Sequence, residues 1–240
     1  MTSLHRDPDE LRDVYRRTIA GTTPFARQRL DEGLELAPHF ATKYGDRRLR
    51  ILDVGAGNGG VSLGLANAKH QVIAVDVTIN GELASLRART GVPLSQLVAT
   101  AGALPFASES FDVVLCLETI EHLPHARASA AEMMRVLRPG GQVMITTPAR
   151  VRHLLKRDPH CDVRGLLMLP DALQKKVIGP SYDVEHIFWT AGGIARLFPG
   201  RGRVETLVAI PWPGRPRNLR EVLWKLFRGL LWDRIVIYKR

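Results

Sequence analysis

The sequence predicts an α/β domain built on a Rossmann-like, doubly wound and mostly parallel seven-stranded sheet. Seven short apolar runs of strand length recur from Leu49 onward, and segments with apolar residues three and four apart separate most of them. The connections are short, as is typical of a parallel sheet covered by helices on both faces. A chain of 240 residues with 45% apolar content is large enough to bury such a core.

Before the first strand, residues 9–43 read as helix, and Pro24 after Thr22 and Thr23 resembles a capped helix start. From Leu49 the apolar period changes. The predicted strands are LRILDVG, HQVIAVDV, LSQLVAT, FDVVLCLE, GQVMITTP, RVETLVAIPW and DRIVIYK. The predicted helices are GGVSLGLANA, NGELASLRART, HARASAAEMMRVL, TAGGIARLF and NLREVLWKLFRGLLW.

We expect residues 1–240 to form one domain with four parts. Residues 1–48 would be an N-terminal helical cap, and residues 49–148 the cofactor-binding core. Residues 149–188 have many charges and prolines but little periodicity, which predicts a lid or substrate insertion, since loops of this length are usually functional or disordered. Residues 189–240 would add the last strands and a basic amphipathic helix.

The formal net charge of +10 is unevenly distributed, with −2 over residues 51–149 and +7 over residues 200–240. This pattern suggests chemistry in the middle of the chain and an anionic surface facing its end, although a solvated basic face explains it equally well. Within residues 217–234, a helical stripe is flanked by basic side chains. The stripe consists of Leu219, Val222, Leu223, Leu226, Phe227, Leu230 and Leu231.

Such a basic amphipathic helix can lie on an anionic membrane or pack on its own domain, and both interpretations stay open. Nucleic acid is a disfavoured partner, because the basic residues come without interleaved stacking aromatics. The polar N-terminus and the lack of a long apolar run predict a cytoplasmic protein. Cys116 and Cys161 are far apart, so neither a disulfide nor a structural zinc site is expected.

The segment ILDVGAGNGG, residues 51–60, is typical of a nucleotide-binding loop. Glycines after a buried strand let a ligand approach the backbone at a helix N-terminus. Gly55, Gly57 and Gly60 satisfy G-x-G-x-x-G, and Asp76 ends the second strand where an acid would accept ribose hydroxyls. These residues alone leave NAD open, and also a tight turn without ligand. A P-loop is excluded because no Gly-Lys-Ser/Thr follows the glycines.

Two further features favour a different nucleotide. Asp53 stands two residues before Gly55, where a dinucleotide fold usually has an apolar residue. The segments ILDVGAGNGGVSLGLA, VIAVD, GALPFASESFDVVLCLETIEHL and AEMMRVLRPGGQVMITTP also follow one another at suitable spacing. Together they resemble the motifs of the class I S-adenosylmethionine-dependent methyltransferases, and in particular the branch that includes ubiquinone and menaquinone biosynthesis enzymes.

The resemblance implies S-adenosylmethionine as cofactor. Asp53 would organise the loop, and Asp76 would accept both ribose hydroxyls. Relatives often have an aspartate shortly before LPF that meets the adenine amino group; here Thr100 takes that position, and its hydroxyl could accept the same hydrogen bond. The implied cofactor-binding residues are Asp53, Gly55, Gly57, Asp76, Thr100, Ala101, Leu104 and Leu117.

The acceptor side of the site is less well defined by the sequence. Methyl transfer needs alignment in a dry pocket, and a hydroxyl acceptor needs a base, a role that suits histidine. His122 and His186 are the candidate catalytic residues. No metal is expected, although Glu118, Glu121 and His122 match an E-x-x-E-H pattern that holds a divalent cation in some quinone O-methyltransferases. Alternatively, Glu121 and His122 cap the next helix and pair with arginines.

The expected acceptor is a small or lipid-like molecule of quinone or phenol type, methylated at oxygen. A glycan, a natural-product intermediate, a nitrogen acceptor, or a scaffold that binds S-adenosylmethionine without catalysis remain alternatives. The sequence does not define the oligomeric state.

Overall fold

The computed structural model of the chain describes residues 24–78, 81–90, 92–147, 191–207 and 234–240, together with Leu173 and Lys176. The predicted helix over residues 9–20, nearly all of the predicted lid at 149–188 and residues 217–233 lie outside this part of the chain.

Helices and strands alternate as the apolar pattern predicts. The helices are α1 (Pro24–Tyr44), α2 (Gly60–Asn67), α3 (Gly81–Thr90), α4 (Ala126–Val136) and α5 (Ala191–Ala195), with a 3₁₀ turn at Ile120–His122. The strands are β1 (Arg50–Val54), β2 (Gln71–Asp76), β3 (Leu94–Val98), β4 (Phe111–Leu117), β5 (Leu137–Thr146), β6 (Arg201–Leu207) and β7 (Arg234–Lys239).

These strands form one seven-stranded sheet in the order β3-β2-β1-β4-β5-β7-β6. Strands β1 to β5 are parallel, and β7 pairs antiparallel with both β5 and β6. The chain therefore winds outward from β1 in one direction and then, from β4, in the other. This confirms the predicted doubly wound, mostly parallel seven-stranded fold.

Two apolar clusters fill the space on the two faces of the sheet. On one face, Leu52, Val114 and Ile145 pack with Met133 of α4. The other face is covered by α1 and α2, which approach closely because glycines lie between them. A Cβ on Gly64 of α2 would lie 2.9 Å from the carbonyl oxygen of Leu30 in α1. The helices α1 and α2, which precede β4 in the sequence, thus lie on one side of the sheet, and α4, which follows β4, lies on the other.

Observed boundaries differ from the predicted ones by a few residues. β5 begins at Leu137, four residues before the predicted GQVMITTP strand, because Leu137 pairs with Phe111 ahead of a register shift. Regular pairing then resumes at Val113 and Gln142. Among the described helices, none has the length and apolar character needed to cross a membrane.

Candidate functional site

The carboxyl ends of β1, β2 and β4 meet at one edge of the sheet, which we call the carboxyl edge. β1 lies between its two parallel neighbours, with Asp53 opposite Leu115 of β4 and Ala74 of β2. In doubly wound sheets, ligands bind in the crevice where the winding direction reverses. That crevice lies here between the ends of β1 and β4.

The glycine loop, residues 55–60, is tied to the end of β2 by its backbone. The amides of Gly55 and Ala56 donate to the carbonyl of Val75 at 2.8 and 3.1 Å. The amide of Gly57 donates to Asp76 Oδ2 at 2.8 Å, and that of Val77 donates to Asp76 Oδ1 at 2.7 Å. An ionised carboxylate offers about four lone-pair sites, so Asp76 keeps acceptor capacity for ligand hydroxyls.

Three glycines of the loop have positive φ angles, but their surroundings differ. A Cβ on Gly55 would collide with the side chain of Thr119, and one on Gly59 would collide with that of Leu83. At Gly57 a Cβ would meet nothing within 4 Å. Gly55 and Gly59 are therefore required by the packing of the protein itself, whereas Gly57 leaves open space next to Asp76.

Asp53 is buried beneath the loop and does not face solvent. Its side chain is 2% exposed, and the hydroxyl of Ser62 in α2 donates to its Oδ2 at 2.6 Å. Burial raises the pKa of Asp53 to about 6, and the Ser62 hydrogen bond partly opposes this increase. The carboxylate thus fixes the start of α2 relative to β1, a placement suited to organising the loop.

Three of the predicted cofactor-binding residues, Thr100, Ala101 and Leu104, lie at the same edge, after β3. Thr100 is exposed, and its Oγ1 accepts a hydrogen bond from the Gly102 amide at 3.4 Å. The side chains of Ala101 and Leu104 are buried in the core on one side of the sheet, and the Leu104 amide and carbonyl are hydrogen-bonded to Glu132 and Arg135. Leu117 is also buried, at the end of β4.

Beyond β4, Glu118 adopts a φ of 51°, an uncommon conformation for a residue other than glycine. Its amide donates to the carbonyl of Thr146 at 3.0 Å. Glu118 and His122 are exposed, whereas Glu121 is 5% exposed and hydrogen-bonds with Thr147. Burial, reinforced by the charge of Glu118, raises the pKa of Glu121 to about 7.

Glu121 points inward, whereas Glu118 and His122 point outward. This geometry separates the three residues of the E-x-x-E-H pattern. In the described part of the chain, no group of three or more His, Cys, Asp or Glu residues is arranged to hold a metal ion. The N-cap of α4 is His125 rather than Glu121 or His122. His186, the second predicted catalytic residue, lies outside the described residues.

The sequence analysis missed three side chains that build this edge: Ser62, Thr119 and Thr147. Ser62 holds Asp53, Thr147 holds Glu121, and the Thr119 hydroxyl contacts the carbonyls of Gly55 and Leu117 at 3.3 and 3.0 Å. Their positions directly after strand ends, or in the first turn after the glycines, are the one sequence signal that could have suggested them.

Comparison with known proteins shows which family this part of the chain resembles. Residues 52–145, from β1 to near the end of β5, match the family described as "Methyltransferase domain". Over these residues the chain is similar to the class I S-adenosylmethionine-dependent methyltransferase superfamily. The match contains Asp53, the glycine loop, Asp76 and the turn after β4, and it confirms the predicted superfamily and its cofactor.

Two relatives illustrate the extent of the similarity. A ubiquinone biosynthesis O-methyltransferase of Agrobacterium fabrum is 30% identical over 154 residues, which cover 58% of this chain and 61% of that protein. An uncharacterised protein of Mycobacterium tuberculosis is 38% identical over 97 residues, or 40% of this chain and 35% of the relative. The similarity thus spans less than two thirds of each relative's length.

Solved structures share the fold of this methyltransferase domain. The PH0226 protein from Pyrococcus horikoshii has a TM-score of 0.62 at 20% identity, covering 96% of this chain and 98% of that one. An S-adenosylmethionine-dependent methyltransferase from Thermotoga maritima has a TM-score of 0.51 at 17% identity, with coverages of 95% and 96%. At these identities the likeness concerns the fold alone.

The different reasons for the loop glycines predict different effects of alanine. Gly55→Ala should destabilise the protein by about 3 kcal/mol or more, since positive φ costs about 1–2 kcal/mol and overpacking against Thr119 adds about 1–3. Gly57→Ala should destabilise the protein only by the cost of the positive φ angle. Urea unfolding measures both, and Gly45→Ala, at φ 64° in open space, is the control. Equal losses at residues 55 and 57 would contradict this account.

The two buried carboxyls predict that stability falls as pH rises. Their pKa values are higher in the folded than in the unfolded state, so their contribution is complete below about pH 4 and is lost as pH rises through about 6 for Asp53 and 7 for Glu121. For Glu121 the loss is about 3 kcal/mol by pH 8.

Glu121→Gln should therefore reduce the difference in unfolding free energy between pH 5 and pH 8, measured by urea titration. Asp46→Asn, at a side chain that is 88% exposed, is the matched control and should leave that difference unchanged. An unchanged pH dependence in Glu121→Gln would show that this carboxyl is not desolvated as described.

Proposed function

We propose that the chain is an enzyme that transfers a methyl group from S-adenosylmethionine to a small-molecule acceptor. The observation that carries the proposal is the position of the Asp76 carboxylate. It ends β2 next to the open face of Gly57, where no side chain of the described residues fills the space. A ribose with two vicinal hydroxyls fits this combination of free acceptor and exposed backbone.

The neighbouring residues suit the remaining parts of the cofactor. Val77 is 69% exposed and Val98 is 48% exposed, so an apolar surface lies beside Asp76 where an adenine ring would pack. The hydroxyl of Thr100 could accept a hydrogen bond from the adenine amino group. The glycine loop would carry the amino-acid part toward Leu117, with Asp53 holding the loop from below.

S-adenosylmethionine supplies an electrophilic methyl group, so the protein needs little acid–base chemistry for the transfer itself. The residues of the carboxyl edge would contribute by aligning the two reactants and excluding water. For a hydroxyl acceptor, we propose that the exposed His122 receives the proton, with His186 as the second candidate.

An oxygen of a quinone- or phenol-type molecule is the acceptor we propose. Support comes from the ubiquinone biosynthesis O-methyltransferases, which are 30–35% identical over 101–154 residues. A prenylated acceptor would also agree with the basic amphipathic segment at 217–234, which we propose as a peripheral membrane contact. Glycan, natural-product and nitrogen acceptors are the alternatives.

Cofactor binding is the direct test. The protein should bind S-adenosylhomocysteine in calorimetry, and Asp76→Ala should weaken binding at least about a hundredfold, because two hydrogen bonds to a charged acceptor are lost. Asp46→Ala is the matched control at a remote exposed carboxylate. Unchanged binding in Asp76→Ala would refute the ribose placement, and displacement of S-adenosylhomocysteine by NADH would favour an oxidoreductase.

The acceptor class can be identified by tracing label. Incubation of the protein with cell extract and methyl-labelled S-adenosylmethionine should place label in the lipid or small-molecule fraction, and Asp76→Ala should abolish that signal. Label in the nucleic-acid fraction would overturn the proposed acceptor class. Absence of label from every fraction, despite intact cofactor binding, would favour a scaffold without catalysis.

A further inference from the structure

One side chain, that of Thr119, joins the glycine loop to the end of β4. Its hydroxyl has a single hydrogen, which is shared between the carbonyl oxygens of Gly55 at 3.3 Å and Leu117 at 3.0 Å. Gly55 precedes Thr119 by 64 residues, so this contact exists only because β1 and β4 are neighbours in the sheet.

Packing reinforces the hydrogen bond. A Cβ on Gly55 would collide with Cγ2 and Oγ1 of Thr119 and would lie 2.8 Å from its Cβ. The Thr119 side chain therefore occupies the volume that any other residue at position 55 would need. Because Gly55 also has a φ of 74°, its backbone conformation and its contact with Thr119 depend on the same missing side chain.

Thr119 also begins the turn on the acceptor side of the crevice. Its carbonyl accepts a hydrogen bond from the amide of His122 at 2.9 Å, which closes the 3₁₀ turn at Ile120–His122. One residue is thus connected to both walls of the crevice, through its side chain to the glycine loop and through its backbone to the turn that carries His122.

We infer that Thr119 is a positioning residue that holds the glycine loop at a set distance from the end of β4 before the cofactor binds. The inference rests on the proposed function, because the loop is assigned there to S-adenosylmethionine. A loop ordered in advance does not have to be ordered at the moment of binding, so its ligand binds more tightly. In-line transfer also requires that the two walls of the crevice keep a defined separation.

Three variants test the inference. Thr119→Val keeps the branched shape but removes the hydroxyl, and Thr119→Ser keeps the hydroxyl but removes the methyl group. Thr42→Val is the matched control, because the Thr42 hydroxyl also donates to a carbonyl, that of Pro38 at 3.0 Å, in the helix α1. The probes are S-adenosylhomocysteine in calorimetry, hydrogen exchange of the Gly57 and Gly59 amides, and thermal unfolding.

Thr119→Val should weaken S-adenosylhomocysteine binding by about three- to tenfold, the loss expected for one hydrogen bond. It should also accelerate exchange of the Gly57 and Gly59 amides, which bond to Asp76 Oδ2 and to the Ala56 carbonyl. Thr119→Ser should recover most of the affinity, and Thr42→Val should change neither quantity.

A lower unfolding temperature in Thr119→Val with unchanged affinity and exchange would overturn the inference, since Thr119 would then be merely structural. Equal weakening in Thr119→Ser would overturn it as well, because the hydroxyl would not be the responsible group. If the wild-type protein itself does not bind S-adenosylhomocysteine, the proposed function fails together with the assigned ligand. In that case the exchange rates still decide whether the hydroxyl restrains the loop.

Discussion

The parallel pairing of β1 with both β2 and β4 is the constraint on which the candidate site depends. α2 leaves β1 toward one face of the sheet, whereas the helix α4 that follows β4 packs on the other face. Adjacent strands whose connections diverge in this way leave a crevice between their carboxyl ends. The glycine loop and Thr119 meet at that crevice because of this pairing, although Gly55 and Thr119 are 64 residues apart in the sequence.

Glycines at the carboxyl edge serve the protein's own packing as much as a ligand. Gly55 makes room for Thr119 and Gly59 for Leu83, so two of the three positive-φ glycines allow close contact between protein segments. Gly57 alone among these three faces open space. A glycine-rich motif is therefore a compromise between a compact loop and an exposed backbone, and its spacing does not say which glycine meets the ligand.

Several unfavourable features are concentrated at the same edge. Asp53 and Glu121 are desolvated carboxyls, and burial raises the pKa of each. Glu118 has a positive φ, which residues other than glycine rarely adopt. A domain selected only for stability would place apolar residues and relaxed backbone there. Such a concentration of perturbed carboxyls and backbone strain is typical of functional sites, where surrounding structure compensates for the local cost.

By itself, the sequence determined the seven strands and the positions of Asp53 and Asp76 at strand ends. Burial on both faces of a parallel sheet requires continuous apolar runs, and these are visible locally. The neighbours Glu121 and His122 show what remained hidden: one is buried and the other exposed, and only the turn after β4 decides which. Likewise, the partner of Gly55 is a threonine 64 residues away, set by strand pairing and packing that no local pattern encodes.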